Sequence, residues 1–298
     1  MRQWLRKARI TFPGGFVINP SNRVEQHELR VQFHVTKSIS GSANTMDLKI
    51  WNLNEGHRNA VGKELSQVII EAGYIPPEGG GNLGIIFKGA VRDYQHDRDG
   101  PDIITTVSCG DGDLAYRRAT ISKTIPKGAS IPDVVEEINK ELKKQGIAKG
   151  ELKYPDDIRT LKRPYSMCGS CARELDTLGR GNGFYWSLQN ETLEIIPSDG
   201  FLPGMIYLDK DSGLIGTPTI TDNGIKVEGL LNPGARPNRQ MKVVSQVLQM
   251  NSQSEIYRIS AVDFDGDNQE GDFKMSLTGE SISGGKVDEG HVKKGKVK

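Results

Sequence analysis

Between Leu29 and Val35 the sequence alternates strictly: Leu29, Val31, Phe33 and Val35 are apolar, and Arg30, Gln32 and His34 between them are polar. Successive side chains on a β-strand point to opposite faces, so a period of two puts one face in a core and the other in solvent or against a partner. The pattern returns at Met46, Leu48 and Ile50 against Asp47 and Lys49. It returns again far along the chain at Phe273, Met275 and Leu277, against Lys274, Ser276 and Thr278. A chain with this alternation near both ends must build sheets.

Shorter apolar runs, Val68-Ile69-Ile70 and Ile85-Ile86-Phe87, fit strands covered on both faces. Ile103 to Val107 is rich in β-branched residues and predicts another strand. Between these runs lie Pro13-Gly14-Gly15, Pro76 to Gly81 and Arg98-Asp99-Gly100-Pro101, all turn chemistry. The chain holds 35 glycines, many of them between such runs, where positive φ costs glycine little. Short strands at this spacing suggest a barrel or sandwich.

The composition then shifts. Ser130-Ile131-Pro132-Asp133 predicts a helix start, with a capping Ser, an early Pro and an acid in the first turn. Ile131, Val134, Val135, Ile138 and Leu142 form one apolar stripe, and Gly146 can end the helix. A second helix is predicted from about Ser166 to Leu178, then a hairpin of Phe184–Leu188 and Thr192–Ile196 around Gln189-Asn190. Strands return at Lys242–Leu248, Ile256–Phe264 and Phe273–Leu277. The expected fold class is α+β, mainly β: β-structure over residues 1–112, a small α/β insert over 113–206, β-structure over 207–282 and a flexible Gly/Lys-rich tail over 283–298.

Composition bounds the function. With 298 residues, 36% hydrophobic and 26% charged, the chain is long enough for two or three modest domains and reads as folded rather than disordered. A formal net charge of +1 argues against a general nucleic-acid binder. No apolar run approaches the roughly 20 residues that span a bilayer. Met1 to Lys7 is basic but lacks the apolar stretch of a signal peptide, so folding in a reducing cytoplasm is the expectation. Three cysteines, Cys109, Cys168 and Cys171, are no disulfide framework.

Several clusters invite a chemical reading. Cys168-Gly169-Ser170-Cys171 has a redox or metal look, but a thioredoxin-like site needs the motif at a helix start after a strand, and zinc needs a second ligand pair. Cys168, Cys171, Leu175 and Leu178 share one helical face, which predicts core packing. Asp263, Asp265, Asp267, Glu270 and Asp272 resemble a calcium loop, yet Asn268 and Lys274 stand where an EF-hand loop requires Gly and Glu; an acidic hairpin tip is expected. Asp93, His96, Asp97 and Asp99 around one loop suggest acid–base chemistry, with a solvated turn as the plainer reading. Gly79-Gly80-Gly81 lacks the Lys-Ser/Thr of a phosphate loop, and Lys293, Lys294, Lys296 and Lys298 read as a solvated tail. No catalytic, cofactor-binding or metal-binding residue is assigned.

Five segments, in order, resemble the baseplate hub family of contractile-tailed bacteriophages (tail hub, or phage late control protein D-like). They are Asp47 to Asn54, with Glu71 to Tyr74 following; Ile86 to Val91; Val107 to Asp113; Thr124 to Ser130; and Gly213 to Pro218 with Gly229 to Pro233. The resemblance covers roughly residues 30 to 280. It implies two related tube-type β-barrels flanking the insert, and three subunits placing six barrels around a pore, between a six-fold tail tube and a three-fold spike. It implies a structural virion protein with no catalytic residues and no cofactor. Implied partners are two further copies, a tail tube or tube-initiator protein, the central spike, baseplate wedge proteins and the tape measure protein. The genome would pass through the channel without specific binding, and no stable membrane insertion is implied. Trp4 and Trp51 are interface candidates, with half-buried packing as the alternative. Other readings are the hub of a phage-derived bacteriocin or secretion device, a tail-associated peptidoglycan hydrolase and a small carbohydrate-binding module.

Overall fold

Each alternating run in the sequence is a strand in the computed structural model, which describes residues 5–21, 24–61, 67–76, 81–222, 224–245, 255–283 and 286–287. Trp4, Gly79, Gly80 and the lysines from Lys293 onward lie outside the described residues. The first part of the chain forms β1 (Leu5–Thr11), β2 (Val17–Ile18), β3 (Val31–Ser38), β4 (Thr45–Trp51), the short helix α1 (Glu55–Val61), β5 (Gln67–Ile75), β6 (Gly84–Asp99) and β7 (Asp102–Gly110). The middle forms α2 (Asp113–Arg118), β8 (Thr120–Ile125), α3 (Ile131–Lys144), β9 (Ala148–Leu152), β10 (Tyr165–Ser170), α4 (Cys171–Asn182), β11 (Phe184–Leu188) and β12 (Thr192–Pro197). The last part forms β13 (Met205–Leu208), β14 (Leu214–Thr221), β15 (Gly224–Leu230), β16 (Gln240–Val243), β17 (Ile256–Asp267), β18 (Phe273–Ser283) and β19 (Lys286–Val287). The protein is mainly β, as the alternation requires.

The first and last parts share one sheet. Its strand order is β14-β15-β18-β17-β3-β4-β7-β6-β5-β1-β2, with β16 added beside β17 and β13 beside β16. Among the described residues these pairings do not close into a ring. The join between the parts is the antiparallel pairing of β17 with β3, from Ala261↔Ser38 to Asp267↔Gln32. Val31, Phe33 and Val35 of β3 and Val262 and Phe264 of β17 point inward and are buried. They belong to one apolar cluster that also takes Leu48 and Ile50 from β4 and Met275 and Leu277 from β18. A separate cluster holds the middle part, with Val134, Val135, Ile138 and Leu142 of α3 packed with Cys171, Leu175 and Leu178 of α4 and Leu193 and Ile195 of β12.

Helix α3 follows its sequence signals closely. Ser130 caps it: its hydroxyl accepts the Asp133 N–H at 3.3 Å, and the Asp133 carboxylate accepts the Ser130 N–H at 2.9 Å. Helix α4 starts later than the apolar spacing predicts. Tyr165–Ser170 pairs with β8 instead, from Tyr165↔Ile125 to Ser170↔Thr120. Gly169, at φ +125°, has a backbone conformation no α-helix contains. The helix also runs on to Asn182, where Gly183 at φ +69° ends it. The strand expected at Lys242–Leu248 is shorter and earlier, Gln240–Val243, and residues 246–248 lie outside the described ones.

One end of the sheet is irregular. Pairing of β14 with β15 jumps from Ile215↔Glu228 to Thr219↔Lys226. The intervening bulge contains Gly216 at φ +67° and Pro218, which has no N–H to donate.

Gly266 tests the β3–β17 seam. A Cβ there would sit 2.2 Å from Phe33 Cζ, so Gly266→Ala should lower unfolding free energy by about 1–3 kcal/mol through overpacking. Gly181, inside α4, has nothing within 4 Å of the same added atom. Gly181→Ala should therefore raise stability by roughly 0.5–1 kcal/mol. Urea unfolding of the two variants beside the parent checks both signs.

Candidate functional site

Two features stand out once the strands are placed: a buried polar junction under the middle part, and a broad polar face on the shared sheet. The junction begins at Asp111, just past β7 and fully buried. Its Oδ1 accepts the Glu191 N–H at 2.6 Å and its Oδ2 accepts the Asn190 N–H at 2.6 Å. Asn190 and Glu191 form the β11–β12 turn with φ of 55° and 58°. Two successive positive φ values are the geometry of a tight hairpin turn, which Glu adopts reluctantly. The carboxylate of Asp111 holds the turn in that shape.

Asn44 closes the junction from the loop before β4. Its Nδ2 donates to Asp111 Oδ2 at 3.1 Å and to the Leu188 carbonyl at 2.7 Å, while its Oδ1 accepts the Ser38 N–H at 3.0 Å. Lys37, also buried, donates to Asn190 Oδ1 at 2.7 Å and to the Ile86 carbonyl at 3.2 Å. Burial pushes the Lys37 ammonium down to about 8, aided by Arg236 and Arg239 and opposed by Asp111 and Glu194. Burial likewise pushes Asp111 up to about 6, against the pull of Lys37 and its hydrogen bonds. A second set of contacts lies farther along. Glu194 accepts Arg239 Nη1 at 2.5 Å and Asn238 Nδ2 at 3.0 Å. Buried Arg258 pairs with Glu280 and donates to the Ser198 and Gly200 carbonyls at 3.0 Å each.

The polar face is set by strand register. Glu228, Ser276, Asp263, Thr36 and Thr45 lie in one row across β15, β18, β17, β3 and β4. Lys274, Asp265, His34, Asp47, Ser108 and Asp93 lie in the next, ending on β6. Lys226 and Thr278 flank the first row, and Lys49, Thr106, Gln95 and then Asp97 continue beyond the second. All of these side chains are exposed or half-buried; their neighbours on β15, β18, β17, β3, β4 and β7 mostly face the core, whereas β6 is exposed on both sides from Arg92 onward. His34 Nδ1 lies 2.6 Å from Asp265, and Lys274 donates to Glu228 at 3.3 Å. A groove of about 640 Å³ runs over this face, lined by Gln32, His34, Asp47, Lys49, Thr106 and Asp265 among others.

The clusters singled out from sequence resolve as follows. Asp93, His96, Asp97 and Asp99 are on a long hairpin arm of β6 and β7 rather than around a loop. Asp93 and Asp97 face one side, opposite Ser108 and Ile104, and His96 faces the other, opposite Thr105. The histidine and the carboxylates therefore do not converge. Asp263 and Asp265 are on β17 itself, and only the segment after Asp267 is a hairpin tip. Asp267 is committed: Oδ2 accepts Arg30 Nε at 2.9 Å and Nη2 at 2.7 Å, and Oδ1 accepts the Gln269 N–H at 2.9 Å. Among the described residues no group of three or more His, Cys, Asp or Glu side chains is placed to hold a metal ion. Trp51 is half-buried beneath the Arg30 guanidinium, 4.6 Å from its ring centre.

Cys168 and Cys171 are split by the late start of α4. Cys168 is exposed on β10 and Cys171 is buried at the first residue of the helix, so the shared helical face holds for Cys171, Leu175 and Leu178 alone. The motif does stand at a strand-to-helix junction, but burial, with Glu141 and Glu174 nearby, pushes the Cys171 thiol up to about 11. That is the opposite of an activated thiol. The junction residues were not found by sequence reasoning, although Lys37 carried a signal: it continues the inward phase of Val31, Phe33 and Val35.

The family model described as "Baseplate hub gp41" matches residues 7–279. No curated protein matches the sequence. Among solved structures, the 43 kDa tail protein of prophage MuSo2 from Shewanella oneidensis superposes with a TM-score of 0.64 at 10% identity, covering 95% of this chain and 98% of that one. A tail protein from Neisseria meningitidis MC58 gives 0.61 at 11% identity, over 93% and 97%. The E. coli c3393 protein, described as a type VI secretion system component with structural similarity to T4 tail proteins gp27 and gp5, gives 0.63 at 12% identity, over 95% and 78%. At these identities the likeness is one of fold.

The junction makes two predictions. Asp111→Ala strands the Asn190 and Glu191 N–H groups and should cost on the order of 3 kcal/mol in chemical unfolding. Lys37 binds its proton less tightly folded than unfolded, so its unfavourable contribution is full below about pH 8 and fades as pH climbs from about 8 toward its ordinary 10.5. The stability of the parent relative to Lys37→Met should therefore rise between pH 8 and 10; a flat or falling difference contradicts the assignment.

Proposed function

The chain belongs to the Baseplate hub gp41 family, and from that premise we propose that it is the hub of a contractile tail. Three copies join a six-fold tail tube to a three-fold central spike and form part of the axial channel. Residues 1–112 and 207–282 each supply one β-barrel of tube type, and residues 113–206 the α/β insert between them. Support for two barrels comes from the pairing on either side of the β3–β17 seam: β4, β7, β6, β5, β1 and β2 on one side, β18, β15 and β14 with β16 and β13 on the other. The carrying observation is that the match to one hub family model extends over residues 7–279, which takes in both parts and the insert.

In this reading the protein works by shape and interface complementarity, without catalysis. Its partners are two further copies, the tail tube or a tube initiator, the spike, wedge proteins and the tape measure protein. It assembles in the host cytoplasm and ends in the virion tail, with no stable membrane insertion; no helix among the described residues is long and apolar enough to cross a membrane. The genome passes through without specific binding. A second reading, the hub of a phage-derived contractile bacteriocin or secretion device, is favoured by the likeness to the E. coli secretion component. Purified particles with or without DNA-filled heads separate the two.

Alone or with its spike, the purified protein should sediment as a trimer; a monomer under both conditions would sink the hub reading. The competing hydrolase reading relies on Asp93 and Asp97. It predicts a cleared band on a peptidoglycan zymogram that is lost in Asp93→Ala and Asp97→Ala; the hub reading predicts no band and unchanged assembly of both variants.

A further inference from the structure

The middle part has a core of its own, and hydrogen bonds and ion pairs seat it on the sheet. Its apolar cluster and that of the shared sheet have no residue in common. Across the boundary, the β11–β12 turn reaches the first part of the chain and β12 reaches the last. Glu191 accepts Gln67 Nε2 at 2.9 Å, and Lys88 Nζ lies 3.1 Å from the same carboxylate. Gln189 donates to the Ser38 carbonyl at 2.8 Å, while Glu194 holds Asn238 and Arg239. Bodies joined through polar contacts move against each other more readily than bodies sharing an apolar core. We propose that the middle part is a hinged clasp. Seated, it ties the first and last parts together across the β3–β17 seam, and it leaves the sheet as one body when the Asp111 junction opens.

Two connections tether the clasp. One is Gly110-Asp111-Gly112, with Gly112 at φ +67°; the other is residues 198–204, ending in Gly204 at φ +121°. Glycine turns freely at such positions, and hinges absorb their motion in a few residues. Asp111 stands inside the first connection. The group that grips the Asn190 and Glu191 N–H groups therefore lies where the clasp pivots. Bonds of fixed direction leave no half-slid arrangement, so seated and released are distinct states.

Buried charge makes seating depend on protons. Lys37 of β3 faces Asp111, Glu194 of β12, and Arg236 and Arg239 from the segment before β16. Asp111 faces Lys37 and Asn44, and Tyr116 of α2, whose hydroxyl is pushed up by burial and by Asp111 and Asp176. Glu191 turns its own carboxylate away to Gln67 and Lys88. Asp111 binds its proton more tightly seated, about 6 against an ordinary 3.8, so acidification from about pH 7 to 5 favours seating. Lys37 binds its proton less tightly seated, about 8 against 10.5, so a rise from about pH 7 to 9 favours seating too. Release is greatest between the two limbs, and each limb changes the equilibrium by about tenfold.

Single-molecule energy transfer in the full-length chain tests this. Cys168 is exposed while Cys109 and Cys171 are buried, so Asp97→Cys on the β6 arm supplies the second site for pH-insensitive dyes. Two transfer efficiencies are expected at about pH 7, with one gaining about tenfold over the other at about pH 5 and again at about pH 9. Asp111→Asn should flatten the acid limb alone, and Lys37→Met the alkaline limb alone. A single efficiency throughout, or limbs that shift the ratio in opposite directions, overturns the clasp. Survival of both limbs in both variants does the same. Where circular dichroism shows that a variant has not folded, the parent profile alone decides.

Discussion

The pairing of β3 with β17 brings together strands more than 220 residues apart, and most of the remaining architecture depends on it. Without it the first and last parts of the chain would each present an open strand edge and a half-covered apolar face. With it, Phe33, Val35, Val262 and Phe264 enter one core, and the strands on either side continue a single sheet. Contacts this distant in sequence form late and slowly, because loop closure precedes the gain from burial. The middle part, with its own apolar cluster, folds within the loop that the seam closes.

The buried polar junction settles how that middle part meets the sheet. Apolar contacts alone tolerate sliding, whereas hydrogen bonds to two backbone N–H groups in a positive-φ turn do not. Asp111, Asn44 and Lys37 define one position for the β11–β12 hairpin. Arg258 and Glu194 add fixed points near Ser198 and Arg239. Holding Lys37 and Asp111 in the interior is unfavourable in itself, as their displaced proton affinities indicate.

Local order was legible in the sequence wherever one period dominated. The alternation at Val31 to Val35 and at Phe273 to Leu277, and the stripe and cap of α3, each appear as read. Where two patterns compete, the structure departs from the sequence pattern. Cys168 and Cys171 have helical spacing, but the ladder from Tyr165 to Ser170 against β8 claims Cys168 for a strand. The acidic residues of β6 looked like a loop because charge is common in turns, and period-two placement was hidden by the bulge between Val91 and Asp93. The junction was out of reach for another reason: it joins residues 37, 44, 111 and 190, and no spacing rule links them. Only the inward phase of Lys37 hinted that a charge would be buried.

The bulged end of the sheet, with Gly216 and Pro218 in β14, bears on how many copies can associate. A regular outermost strand offers a ladder of donors and acceptors on which another chain can template, and that chain offers the next. Here the bulge between Ile215 and Thr219 interrupts the regular run of the strand for several residues, and Pro218 within it has no N–H to donate. Growth by strand upon strand into an unlimited filament is thereby discouraged at this end. Any neighbour that settles beside β14 must be chosen by its side chains, which allows an assembly to stop at a fixed number.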